Sequence, residues 1–230
     1  MGLLGLAVAP GLAICIYIFW KDKFDPEPKR LLIWAFFLGV LSTIPAIIFE
    51  GAVSRMHLNF ESSVVRTAVH AFAGVAFIEE LVKFLVVYKF LYPKKDFDEP
   101  FDGITYAVMA SMGFATLENV GYVVNYGVET GIMRMFTAVP AHAAFGVIMG
   151  YFMGLAKFDE ERANSLLMAA LMAPALLHGA YDFPLLLEPG SLPWLEPYKL
   201  IGALVSLVIG IVLSRRAIRI HQLNSPFRKK

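Results

Sequence analysis

The chain has 230 residues, 58% of them hydrophobic and 17% charged, with a mean hydropathy of +0.64 and a net charge of +1. That apolar share exceeds the ~45–50% of a soluble domain, and the charges lie between long apolar runs, so the composition reads as an all-α, polytopic membrane protein without a soluble domain. A single cysteine, Cys15, excludes an internal disulfide and any cysteine-based metal site.

Seven apolar stretches follow in order. The first, residues 2–20, holds nineteen residues without a charge, close to the ~20 that a bilayer requires. It lacks a basic leader and a small-x-small site before Lys21, so it reads as a retained span and not a signal peptide. Pro26 and Pro28 keep the connector extended. The second span, 31–49, is bent by Pro45, and Glu50 and Arg55 beyond it mark a membrane edge. Residues 64–90 form the third. Asp102 reads as the N-cap of the fourth, 103–125. The fifth is 132–156, the sixth 164–187 and the seventh 198–213, followed by a basic tail over 215–230. His57 and His221 fall in polar segments and are expected to face solvent.

The third span carries the unusual group. Glu79, Glu80 and Lys83 place three charges within five residues of an otherwise apolar run. One charge near the bilayer centre costs at least ~2.5 kcal/mol, so three must pair with one another or line a polar cavity. At ~100° per residue both acids share a face with Lys83; one can neutralise the lysine while the other faces a cavity. His70, nine residues before Glu79, falls about half a turn away and is expected to miss it. Spans four to six add Glu118-Asn119, Pro140-Ala-His142 and His178-Gly-Ala-Tyr-Asp182.

Lysine and arginine placement orients the bundle. Only Arg55, Arg66, Arg134 and Lys199 fall in, or within three residues of, the loops after spans two, four and six, and Lys83 is deep inside a span; the other fifteen of twenty lie on the opposite side. The N-terminus is therefore expected outside and the C-terminus in the cytoplasm. At ~1.5 Å per residue, His142, His178, Glu118 and Asp182 lie ~8–14 Å below the outer surface, with Glu79 and Glu80 ~18 Å down. Separate structural ion pairs have no reason to share a depth; a single cavity does. The whole chain, 1–230, reads as one membrane domain whose polar core is 64–187, flanked by spans 2–20, 31–49 and 198–213.

Carboxylates and imidazoles without a nucleophilic serine or cysteine suit activation of a water. A glutamate can act as base while imidazoles polarise a carbonyl and protonate a leaving amine. Alternatively, Glu118, His142, His178 and Asp182 offer a zinc-type donor set, so the cofactor is either none or one Zn2+. Gly146, Gly150 and Gly154, four apart, permit close helix approach, within the bundle or in a dimer. Pro140, Pro174 and Pro184 are expected to kink helices near the site.

Glu79-Glu80-x-x-Lys83, Phe114-x-x-x-Glu118-Asn119, Ala141-His142-Ala-x-x-Gly146 and His178-Gly-x-x-Asp182 resemble, in order, the four motifs of the PrsW intramembrane proteases. Those are similar to the wider CPBP group that includes the CAAX prenyl endopeptidases. The resemblance implies a bacterial cell-membrane endopeptidase that makes the first, extracytoplasmic cut in a membrane-anchored anti-sigma factor. It implies Glu79 or Glu80 as base, with Glu118, His142 and His178 assisting; Lys83, Asn119 and Asp182 are supporting residues. Asp182 stands where the prenyl endopeptidases carry Asn. The expected partners are a single-pass membrane substrate and the bilayer, and no nucleic acid. A rival reading is a proton- or ion-coupled transporter using the same acids and imidazoles as a relay, although the chain shows no repeated half.

Overall fold

The computed structural model describes residues 2–56 and 60–228, so His57 lies outside the described residues. The elements are α1 (Gly2–Lys21), α2 (Lys29–Arg55), α3 (Ser63–Val69), α4 (Phe77–Val86), α5 (Pro100–Tyr126), α6 (Val128–Phe136), α7 (Ala138–Lys157), α8 (Ala163–Leu186) and α9 (Lys199–Asn224), with no strand among the described residues. Among the described residues, six helical stretches are long and apolar enough to cross a membrane. Between α2 and α5 a further helical rod runs in four pieces: α3, a π-helical segment His70–Ala76, α4 and a second π-helical segment Val87–Leu91. His70, Phe77 and Val87, at its junctions, all keep helical backbone angles, so the rod is continuous.

Four boundaries differ from the sequence expectation, the first being α2, which continues through Glu50 to Arg55 instead of ending at residue 49. The fifth apolar stretch breaks at Thr137 (φ −123°, ψ −78°), separating α6 from α7. The last helix continues to Asn224, so much of the basic tail is helical, and His221 is not solvent-facing. It is 2% exposed, with Nε2 3.2 Å from the carbonyl of Tyr151. The N-cap of α5 is Glu99, not Asp102. Asp102 is the third residue of a capping box, its carboxylate accepting from the Glu99 backbone N–H at 2.7 Å, which places an acid at the positive end of the helix dipole.

Helix α5 runs through the centre, buried without interruption from Phe101 to Thr116. Small residues explain how α7 approaches it. A Cβ on Gly150 would collide with the backbone of Gly103, and one on Gly154 with the carbonyl of Pro100. The glycine series of the fifth stretch therefore serves packing inside the bundle, where close van der Waals contact holds membrane helices together. On the other flank, Gly113 meets the backbone of Phe36 in α2 in the same way.

At the end of the bundle where α1 stops and α5 begins, Asp22, Glu27, Glu99 and Asp102 are all buried. Desolvation is the largest influence on Asp22 and Glu27. It pushes the Asp22 carboxyl up to about 7 and that of Glu27 up to about 10.

Candidate active site

Four helical elements deliver the site, at the opposite end of α5. From the rod come Glu79, Glu80 and Lys83, which are 5%, 0% and 1% exposed. The Lys83 ammonium donates to Glu80 Oε1 at 2.7 Å and to Glu79 Oε2 at 3.2 Å. Its third contact is His142 Nδ1 on α7, at 3.1 Å. An ammonium has only protons to offer, so His142 Nδ1 accepts and its Nε2–H points at Glu118 Oε2, 2.9 Å away. The Phe114 ring lies 4.2 Å from Lys83 Nζ and adds a cation–π contact.

His178 on α8 is placed between carboxylates. Its Nδ1 lies 3.0 Å from Glu80 Oε1 and its Nε2 3.3 Å from Asp182 Oδ2, one turn along the same helix. Phe145 stacks on the imidazole at 4.8 Å, and Ser111 donates to the His142 carbonyl at 2.6 Å. Both imidazoles therefore turn Nδ1 inward and have Nε2 backed by an acid.

These groups meet one cavity of about 790 Å³, whose lining includes Glu79, Glu118, His142, His178 and Asp182. Glu80 and Lys83 are absent from that lining; they sit behind it as a buried pair. The division expected from the sequence, with one acid on the lysine and one facing the cavity, thus assigns Glu80 to the first role and Glu79 to the second. The cavity is also lined by Glu50, Asn125 and Leu186 near the C-terminal ends of α2, α5 and α8, away from the lysine-rich connectors.

Three residues correct the sequence reading. His70 lines the cavity, because it begins the π-helical segment. The wider π turn advances each residue through a smaller angle than the α turn assumed, and π-bulges recur at functional sites. Glu50 is part of the same lining and does more than mark an edge. Arg134, read from the sequence only as a loop charge, lies on α6. Its Nη2 forms an ion pair with Glu118 Oε2 at 2.7 Å, and its Nε donates to Asn119 Oδ1 at 3.0 Å. The available signal was Glu118 itself, a buried acid needing a counter-charge. Asn119 faces away from the acids and donates to the Ala7 carbonyl of α1 at 2.9 Å.

A family model described as "PrsW family intramembrane metalloprotease" matches residues 27–215. The chain belongs to the PrsW family. Among its relatives, Protease PrsW of Geobacillus kaustophilus is 41% identical over 184 residues, covering 80% of each chain. That of Bacillus subtilis is 37% identical over 182 residues, 79% of this chain and 81% of the relative. That of Clostridioides difficile is 34% identical over 192 residues, 80% and 79% respectively. No solved structure matches the chain. As a PrsW family member it is a multi-pass bacterial membrane protease, which decides against the carrier reading.

The PrsW family's metalloprotease description can be tested against the donors present. One ligand atom from each of Glu79, Glu80, His142 and His178 lies within 4.8 Å of the others. Glu80 Oε2 is buried without a hydrogen-bond partner. Glu118 and Asp182 lie outside this group, each on the Nε2 of an imidazole. An acid on the far nitrogen of a ligating histidine is the usual outer partner at zinc sites. The residues fit one zinc-type ion, with Lys83 as the cation they enclose otherwise.

Proposed function

We propose that this PrsW family member hydrolyses one peptide bond of a single-pass membrane protein, a membrane-anchored anti-sigma factor, from the extracytoplasmic side. The observation that carries the reading is the cluster around Lys83, in which two carboxylates and an imidazole converge at 2.7–3.2 Å beside a cavity. The lysine-poor end at which that cavity lies supports the outer-side cut.

Glu79 is the base. It alone of the adjacent acids meets the cavity, so a water there can give up its proton to Glu79 as it attacks the scissile carbonyl. Lys83 and Glu80 neutralise one another and hold Glu79 and the two imidazoles in place. The N–H groups of His142 and His178 face carboxylates at rest. Reorientation towards substrate lets His178 donate to the developing oxyanion and then to the departing amine, while Glu118, fixed by Arg134, orients His142. If zinc were held by Glu80, His142 and His178, with Glu79 left free as the base, it would supply acidification of a water and polarisation of the carbonyl.

The test is cleavage of a purified anti-sigma factor by the protein reconstituted in liposomes. Wild type is expected to cut, and Glu79→Gln and His178→Ala to lose at least two orders of magnitude in rate while staying folded. Cleavage that survives in both variants rules out this assignment. A wild type that cuts other single-pass proteins but no anti-sigma factor overturns the substrate alone.

A further inference from the structure

The second acidic cluster lies far from the protease site, at the opposite end of α5, and no part of the proposed reaction uses it. Asp22 and Glu27 come from the α1–α2 connector, Glu99 and Asp102 from the cap of α5, and they are 2%, 5%, 1% and 1% exposed. None of the four forms an ion pair with a lysine, arginine or histidine among the described residues. The available donors fall on one oxygen of each aspartate. Asp22 Oδ2 accepts from the Glu27 N–H and the Thr105 hydroxyl, both at 3.3 Å. Asp102 Oδ2 accepts from the N–H groups of Asp98 and Glu99, at 2.8 and 2.7 Å. Asp22 Oδ1 and Asp102 Oδ1 are left buried with no partner. Tyr106 donates to Glu27 and Ser225 to Glu99.

We propose that Asp22, Glu99 and Asp102 bind a hard divalent cation of the Mg2+ or Ca2+ type, separate from the protease site. One oxygen from each of the three lies within 4.8 Å of the others, the spread expected of oxygens sharing an ion at ~2.0–2.6 Å. The donors are all oxygen, which selects a hard ion over zinc. Several anionic carboxylates packed together without a counter-charge are otherwise costly to bury, and two oxygens without partners supply the coordination that the donors do not.

The site's position gives it a role. It joins the α1–α2 connector to the first turn of α5, and Ser225, just past α9, joins through Glu99. One ion would therefore staple the α1–α2 connector, and through Ser225 the end of α9, to the central helix.

The test measures thermal unfolding of the full-length protein in detergent, stripped with EDTA and then given excess Mg2+ or Ca2+. The wild type is expected to gain several degrees with at least one of the two ions. Asp22→Asn and Glu99→Gln, which remove charge but keep hydrogen-bonding capacity, should melt at or above the stripped wild type and gain nothing from either ion. His178→Ala, at the other site, should keep the wild-type response. Absence of any gain in wild type overturns the proposal and leaves protons as the neutralising species. An equal gain in Asp22→Asn and Glu99→Gln overturns it as well, by placing the ion elsewhere. Should one variant fail to fold, calorimetric titration of the stripped wild type decides: about one Mg2+ or Ca2+ per chain is expected, and no binding of either ion refutes the site.

Discussion

Arg134 and Glu118 are joined across a turn that only glycine accommodates. Gly127, between α5 and α6, has φ +86° and ψ −170°, a region closed to residues with a Cβ. It folds α6 back so that the guanidinium reaches Glu118 at 2.7 Å and lies 3.9 Å from the Tyr122 ring. Arg134→Gln is expected to lower the cleavage rate by ~10–100-fold, as loss of an outer partner does, with KM little changed and Arg134→Lys intermediate. Gly127→Val should cost ~1–3 kcal/mol and reproduce the catalytic defect. Steady-state kinetics beside thermal unfolding tests both; an Arg134→Gln protein with wild-type kcat would remove the positioning role.

Lys83 and Glu80 form a pair from which water is excluded, being 1% and 0% exposed. Removing one partner of such a pair strands a charge and costs ~3–5 kcal/mol, whereas removing both costs less. Lys83→Met alone should therefore destabilise strongly. Adding Glu80→Gln should restore much of the loss without restoring cleavage. Denaturation of the two single variants and the double variant gives the coupling; strict additivity would mean that the pair is not a unit.

Gly150 faces the backbone of Gly103 with no room for a side chain. Gly150→Val is expected to lose ~1–3 kcal/mol or more through overpacking. Gly121→Ala, where nothing lies within 4 Å of the added atom, should be nearly neutral. Comparable melting temperatures for the two would contradict the close contact of α5 and α7.

A zinc-selective chelator, with Mg2+ kept in the buffer, is expected to stop cleavage, and zinc to restore it. Elemental analysis should find about one zinc per chain in the wild type and far less in His142→Ala and His178→Ala. Full activity at zero zinc content would instead assign the chemistry to Glu79 without a metal.

Much of this site is legible in the linear order of residues. Charges cannot sit singly in an apolar run, so Glu79, Glu80, Lys83, Glu118, His142 and His178 had to meet, and their hydrogen bonds connect them. The missing parts depend on geometry that periodicity does not carry. Counting at 100° per residue sends His70 to the wrong face because it takes the rod to be α-helical throughout. Arg134 looks like a loop cation until the break at Thr137 and the turn at Gly127 bring α6 back. The four acids at the far end come from segments separated by up to 80 residues, from Asp22 to Asp102, and no local pattern joins them. Asp102 passes for a cap because both an N-cap and a capping-box acid suit an aspartate near a helix start.

The backbone contact between α5 and α7 divides the catalytic apparatus mechanically. Glu118 and His142 ride on two helices locked at glycine, so their spacing is fixed by the main chain. Glu79 rides on the rod and His178 on α8, and His178 is tied to the rod by its contact with Glu80. Any widening of the cavity is therefore expected to come from the rod and α8, at the cost of the Lys83–His142 contact, while α5 and α7 serve as the anvil.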